Sequence, residues 1–226
     1  MPQLCFTPLG DVRPWTGGPT DGETLMTTAQ DLLFVSLDVP PVRPVEQGEL
    51  SLALAGAEVI DLAEVGALVL DGDRLVPGPS PAAQDRLLAQ AASSLVREEP
   101  YEAVEDWLWR RGRGLLSAYT ARLEADGLLT RPRGRLFAAR PARPTPAESP
   151  ARRHAAERWA SGEPVLAALA AAAGIRDEPA DGFPGPLTEP VVTVLAAVGD
   201  AVTELVAVRQ RRSVEEAAFD NIWRSV

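Results

Sequence analysis

The 226-residue chain carries 32 acidic residues against 22 arginines, contains no lysine, and has a net charge of −10. Its hydrophobic fraction of 46% is typical of a folded globular protein, and its length predicts one domain. The single cysteine, Cys5, excludes an internal disulfide. The sequence has no apolar run of about 20 residues and no basic start followed by an apolar block, which predicts a cytoplasmic protein.

Positive charge is concentrated in residues 107–158, which hold twelve arginines and four acidic residues, a net +8. The rest of the chain is therefore −18. This uneven distribution predicts an anionic partner for the basic stretch alone, such as lipid headgroups or nucleic acid. The alternative is that these arginines pair with acidic residues of the protein itself.

The N-terminal part of the chain predicts an irregular arm followed by a helix. Residues 1–23 contain four prolines and four glycines, which break both helix and strand patterns. Thr27 and Gln30 have the spacing of a capping box ahead of the apolar residues 31–37. The first helix is therefore expected to begin here and to end before Pro40-Pro41.

Helical spacing of apolar residues then predicts a second, largely buried helix over residues 51–65. Asp71-Gly72-Asp73 between two short apolar runs predicts a β-hairpin. Further helices are expected from Ser80-Pro81 to about residue 96, from about residue 101, and over residues 114–126.

A second, basic hairpin is predicted over residues 128–138, with its turn at residues 131–134. Two alanine-rich helices are expected to close the fold, over residues 150–174 with a break near Gly162, and over residues 189–212. The predicted fold class is mainly α, a single globular helical domain with one or two short β-hairpins. Its expected bounds are an arm at 1–23, the domain at 24–212 and a tail at 213–226.

Residue types that carry catalysis are sparse in this sequence. The only histidine, His154, lies among arginines and has no second histidine or nearby cysteine with which to bind zinc. The sequence also lacks a glycine-rich phosphate loop and a GxSxG motif. These observations predict a protein that is not an enzyme and that has no cofactor or metal.

Four segments occur in the order and with the character found in one known family. They are residues 24–38, residues 60–75 with their Asp-Gly turn, residues 87–107 and residues 123–137. Over residues 24–212 the chain resembles the Golgi phosphoprotein family, whose eukaryotic members bind phosphatidylinositol 4-phosphate and retain glycosyltransferases. The absence of lysine and the abundance of alanine, proline and glycine indicate a high-GC bacterial genome, so the resemblance is to an actinobacterial-type member.

The resemblance implies a headgroup pocket with a tryptophan and an arginine ahead of the leucine-alanine segment and two arginines spaced i, i+3 later. An ungapped comparison places the tryptophan near Glu46 and the first arginine at Ala55, so neither is present. The later pair falls on Arg113 and Leu116. A shift of one turn gives Arg110 and Arg113, which are the predicted headgroup-binding residues.

The same resemblance implies a hairpin that inserts apolar residues at the membrane surface. Leu136 and Phe137 occupy the matching place, flanked by Arg133, Arg135 and Arg140. Basic residues near an anionic surface contribute about 1 kcal/mol each, and a buried apolar side chain adds about 1.5–3 kcal/mol. The expected function is a peripheral protein or adaptor on the cytoplasmic face of an anionic phospholipid membrane. The alternative is that Leu136 and Phe137 pack on the core.

Two other classes of protein remain open at this stage. Residues 115–135 also have the helix, strand and basic-wing order of winged-helix DNA-binding proteins, although Glu124, Asp126 and the net charge of −10 make nucleic acid the less favoured partner. The third class is a scaffold whose arginines bind acidic proteins or membrane-associated enzymes. The sequence leaves the oligomeric state open.

Overall fold

The computed structural model describes residues 26–79, 85–130, 144–177 and 185–223, with side chains to residue 216. These ranges contain eight α-helices and two antiparallel two-stranded sheets, which confirms the mainly α fold. The helices are α1 Thr28–Asp38, α2 Gln47–Glu64, α3 Arg86–Ser93, α4 Val104–Arg111, α5 Leu115–Ala125, α6 Pro150–Ala160, α7 Pro164–Ala172 and α8 Glu189–Trp223. The sheets pair β1 Leu68–Asp71 with β2 Arg74–Pro77, and β3 Leu129–Thr130 with β4 Thr145–Pro146.

The α2 helix is the centre of the domain, because every residue from Glu49 to Leu62 is buried. It contacts α1, α3, α4, α5, α7, α8 and β1. Its small residues at positions 53, 55, 56 and 57 let neighbouring helices approach its backbone closely. The largest buried side chain in the described residues, Trp107 of α4, lies against this helix and donates its Nε1 hydrogen to the Ala55 carbonyl at 3.3 Å.

The start of α1, the turn of the first hairpin and the break between α6 and α7 lie where the sequence predicted them. The Thr27 side chain accepts a hydrogen bond from the Gln30 backbone N–H at 3.2 Å, so the α1 cap is present. The Gln30 side chain does not complete the capping box but donates to Asp85 at 2.9 Å. Gly72 turns the first hairpin with a φ of 59°, and the break between α6 and α7 falls at Gly162.

The predicted start of α3 and the predicted end of α8 are wrong, and the predicted partner of β3 falls on residues that are not described. The α3 helix begins at Arg86, not near Ser80-Pro81, because Asp85 caps it by accepting hydrogen bonds from two backbone N–H groups. The β3 strand pairs with Thr145–Pro146, whereas the partner predicted at residues 135–138 lies outside the described residues. The α8 helix continues past residue 212 to Trp223, since no proline or glycine ends it.

The α8 helix also corrects the expectation about apolar segments. Its portion Glu189–Glu216 contains an 18-residue window with a mean hydropathy of 2.0, so by length and composition this helix could cross a membrane. In the structure this helix packs along α2 through Val194, Val198 and Ala201, which are buried. It is a helix of the domain body with one face left open.

Close packing of α2 on α8 makes Gly56 sensitive to substitution. A Cβ at Gly56 would overlap Val198 Cγ2. We expect Gly56→Ala to lower the free energy of unfolding by about 1–2 kcal/mol, because overpacking outweighs the gain in helix propensity. Urea denaturation measures this change.

The matched control is Gly48→Ala on the same helix. There the added Cβ would meet only the flexible ends of Leu205 and Arg209, at 2.8 and 2.9 Å. This variant should differ from the wild type by less than about 0.5 kcal/mol. Equal stabilities of Gly56→Ala and the wild type would contradict the packing argument.

Candidate functional site

The α4 helix holds Arg110, the first predicted headgroup residue, against the domain body. Its Nε and Nη2 atoms donate to the two carboxylate oxygens of Glu102 at 2.6 Å each, and Nη2 also donates to the Ser94 carbonyl at 3.2 Å. The guanidinium lies 5.0 Å from the ring centre of Trp107. The hydrogen bond to Glu102 raises the pKa of Arg110. A phosphate at Arg110 would have to displace this carboxylate.

Arg113, the second predicted headgroup residue, lies in the turn between α4 and α5 and is exposed. It forms no hydrogen bond or ion pair with any residue that the structure describes. Gly114 gives the turn its shape with a φ of 73°, and Gly112 lets it pack on α2. Arg110 and Arg113 are therefore neighbours with different surroundings, and only Arg113 is available to a ligand.

Most other described arginines of the basic stretch pair within the protein. Arg111, Arg122, Arg152 and Arg158 each form ion pairs with carboxylates, as the internal-pairing alternative anticipated. The described exceptions are Arg113 and Arg153. The positive charge seen in the sequence is thus largely neutralised across the parts of the domain that are described here.

A pocket of about 390 Å³ is lined by residues of α1, α2 and α5 and includes two of the four positions expected to form a headgroup site. Glu46 and Leu116, which stand at the positions of the family tryptophan and the last arginine, both line it. Ala55, at the position of the first arginine, is instead fully buried beneath Trp107. No arginine lines the pocket among the described residues. Its other lining residues are Leu33, Ser36, Leu37, Pro41, Val45, Gln47, Leu50, Ser117, Thr120, Pro144 and Ile175.

The basic segment 131–143 joins the body beside this pocket. It connects β3 to β4, and Pro144, the residue that follows it, lines the pocket together with Leu116 of α5. The segment contains five arginines and no acidic residue. The predicted membrane-hairpin residues within it, Arg133, Arg135, Leu136, Phe137 and Arg140, lie outside the described residues.

Sequence reasoning missed a set of buried carboxylates around α2. Glu58 accepts two hydrogen bonds from Arg111 at 2.7 and 2.9 Å. Burial raises the pKa of its carboxyl, although the pairing with Arg111 acts to lower it. Asp61 accepts from the backbone N–H groups of Thr28 and Ala29 at the start of α1. Burial raises the pKa of Asp61 to about 7. The available signal was the presence of two acids, spaced i, i+3, inside a long helix of otherwise mostly apolar residues.

Another buried acid, Asp31, lies near the only histidine. Asp31 of α1 accepts a hydrogen bond from Arg158 at 2.7 Å, and burial raises the pKa of its carboxyl. The His154 Nε2 atom lies 3.7 Å from the same Asp31 oxygen. No group of three potential metal ligands occurs among the described residues. The Asp31 contacts are therefore best explained by the anchoring of α6 on α1.

The described residues form a mainly helical domain with one pocket between α1, α2 and α5 and one exposed arginine, Arg113, in the turn before α5. The family model described as Golgi phosphoprotein 3 (GPP34) matches residues 29–217, and the chain belongs to this family. The family is one of lipid- and protein-binding proteins and is non-enzymatic. No curated protein matches the sequence. The family match confirms the resemblance seen in the sequence.

Proposed function

We propose that this chain is a non-enzymatic peripheral adaptor that binds anionic phospholipid surfaces through one corner of the domain. The corner consists of Arg113, the pocket lined by Leu116 and Pro144, and the basic segment 131–143. One observation carries the proposal: Leu116 and Pro144 line the same pocket. Arg113, the one described arginine of α4–α5 without an ion pair, is three residues before Leu116, and Pro144 directly follows the basic segment.

The chemistry of the corner favours binding to a charged surface over selection of one headgroup. Specific recognition of a phosphate uses several converging, charge-assisted donors. Here Arg110 is paired with Glu102, and Glu46 places a carboxylate at the pocket. Arg113 and five arginines in the segment can still add attraction to any anionic leaflet. The proposed ligand is therefore anionic phospholipid in general.

Liposome co-sedimentation tests this proposal with phosphatidylcholine vesicles that contain increasing phosphatidylserine. We expect binding to rise with anionic content and to fall with added salt. Arg113→Ala should weaken binding about fivefold, since it removes about 1 kcal/mol of attraction. Combined Arg133→Ala, Arg135→Ala and Arg140→Ala should weaken it roughly 100-fold.

Two matched variants separate local from general charge effects. The double variant Arg110→Ala/Glu102→Ala removes an ion pair of zero net charge and should change binding less than about twofold. Arg97→Ala removes an exposed arginine that does not line the pocket and should also have little effect. Binding that ignores lipid charge would overturn the proposal. Tight, salt-sensitive binding to random duplex DNA without lipid binding would favour the winged-helix class instead.

A further inference from the structure

The pocket at the proposed lipid-binding corner has mostly apolar walls. Leu33 and Leu37 of α1, Leu50 of α2, Leu116 of α5 and Ile175 all line it. Its volume of about 390 Å³ falls within the range of small-molecule sites in proteins. Sites of this kind combine apolar walls with a few polar groups that fix the ligand, so the polar residues of this pocket indicate what it takes.

Glu46 is the only charged residue that lines the pocket in the described parts of the chain. It is exposed and forms no ion pair with any residue that the structure describes. It is also the N-cap residue of α2, so its carboxylate already supplies the negative charge that a helix N-terminus attracts. A phosphate or a carboxylate that entered the pocket would therefore meet a charge of its own sign.

Two hydroxyl groups of the pocket are committed as acceptors of hydrogen bonds. Ser36 Oγ donates its hydrogen to the Leu33 carbonyl at 2.7 Å, and Thr120 Oγ1 donates its hydrogen to the Leu116 carbonyl at 2.8 Å. A hydroxyl has one hydrogen and two lone pairs, so each of these oxygens can offer a ligand only a lone pair. Together with the Glu46 carboxylate, the pocket presents three acceptor groups.

We propose that the pocket takes a primary ammonium group on a short apolar stem, the group that ends the headgroup of phosphatidylethanolamine. An ammonium group has a positive charge, three N–H donors and no acceptor, which complements one carboxylate and two acceptor hydroxyls. Its methylene stem matches the apolar walls. Gln47 and Ser117, the other polar residues of the pocket, can each donate or accept and do not alter this balance.

This inference rests on the proposed function, because it adds a second lipid to the anionic surface that the corner binds. Anionic phospholipid supplies the general attraction for Arg113 and the basic segment. The ammonium group of a neighbouring lipid then enters the pocket, and the phosphate of that lipid stays outside, at the membrane surface. The membrane that binds best is therefore expected to contain both an anionic lipid and an aminophospholipid.

Co-sedimentation of the full chain with two sets of vesicles tests the pocket. Both sets contain the same fraction of phosphatidylglycerol, and the remainder is phosphatidylethanolamine or phosphatidylcholine, which differ only in the three methyl groups that replace the N–H donors. We expect the wild type to bind the phosphatidylethanolamine vesicles about fivefold more tightly. Glu46→Gln should bring this ratio close to one. Thr120→Val, which keeps the shape but lacks the acceptor oxygen, should lower the ratio about twofold.

The control Glu98→Gln makes the same change in net charge at an exposed acid that does not line the pocket, and should leave the ratio at its wild-type value. Circular dichroism establishes that each variant is folded. Equal binding of the wild type to both sets, or a preference that survives Glu46→Gln, would overturn this inference and leave the proposed function standing. Binding that ignores the phosphatidylglycerol content would overturn the proposed function and this inference with it.

Free ethanolamine distinguishes the lipid from a soluble amine as the source of the ammonium group. A modest excess of ethanolamine over the protein should leave the ratio unchanged, because a single exposed ammonium–carboxylate contact gives little affinity without the membrane. Loss of the preference under these conditions would overturn the lipid as the ligand of the pocket.

Discussion

Replacing Arg111 with alanine is expected to lower the free energy of unfolding by roughly 3–5 kcal/mol, because Glu58 would then be a buried and unpaired charge. Arg111 donates to both Glu58 oxygens, and Nη2 also donates to the Leu87 carbonyl at 3.2 Å. The Tyr119 hydroxyl donates to Glu58 at 3.1 Å. One substitution therefore disturbs contacts among α2, α3, α4 and α5. Urea denaturation at neutral pH gives the change in stability.

A matched variant and a double variant distinguish the stability contribution of the buried Arg111–Glu58 pair from that of an exposed ion pair. Arg110→Ala breaks an ion pair whose arginine side chain is 44% exposed, and should cost less than about 1 kcal/mol. The double variant Arg111→Met/Glu58→Leu should recover most of the loss, because an apolar pair of similar volume needs no charge compensation. If Arg111→Ala were no more destabilising than Arg110→Ala, Arg111 would not stabilise the fold by compensating the buried charge of Glu58.

Stability should fall as pH rises from about 4 to about 7 through the titration of Asp61. Burial raises the pKa of this carboxyl from 3.8 to about 7, and hydrogen bonds from Thr28 and Ala29 offset only part of that effect. The folded protein therefore binds the Asp61 proton more tightly than the unfolded chain does. Its contribution is fully present below pH 4 and is lost as pH rises through 7. The maximum slope from this one group is about 1.4 kcal/mol per pH unit.

Comparison of the wild type with Asp61→Asn isolates this group from the other buried acids. Burial also raises the pKa of Asp31, Glu58 and Glu64, so the whole protein is expected to show the same sign. The difference in unfolding free energy between wild type and Asp61→Asn should decrease steadily over this pH range. Guanidinium denaturation at a series of pH values measures it. A difference that stays constant, or grows with pH, would contradict the assigned pKa.

Local features of this fold were predictable because they depend on residues close in sequence. The Thr27 cap, the Gly72 turn and the break at Gly162 each follow from backbone and side-chain preferences within a few positions. The start of α3 was missed because Ser80-Pro81 is also a good local start signal. The competing Asp85 cap is reinforced from 55 residues away by Gln30.

The candidate site depended on contacts that the sequence does not display. Arg110 and Arg113 were predictable as a pair by spacing, yet Glu102 and Trp107 occupy the first and leave the second free. Similarly, the net charge of residues 107–158 gave no sign of which arginines are neutralised. The pairing of Arg158 with Asp31 spans 127 residues. Such pairs form only when packing brings distant helices together.

By itself, the sequence determined the fold class, the order of the main helices, the first hairpin and the family, because apolar periodicity and turn chemistry are local and repeated along the chain. The tertiary structure alone decided that α2 is buried on every side and carries Glu58 and Asp61 into the core. It also decided that Leu116 and Pro144 share one pocket. The physical reason is that burial and charge pairing are properties of neighbours in space, which chain order does not specify.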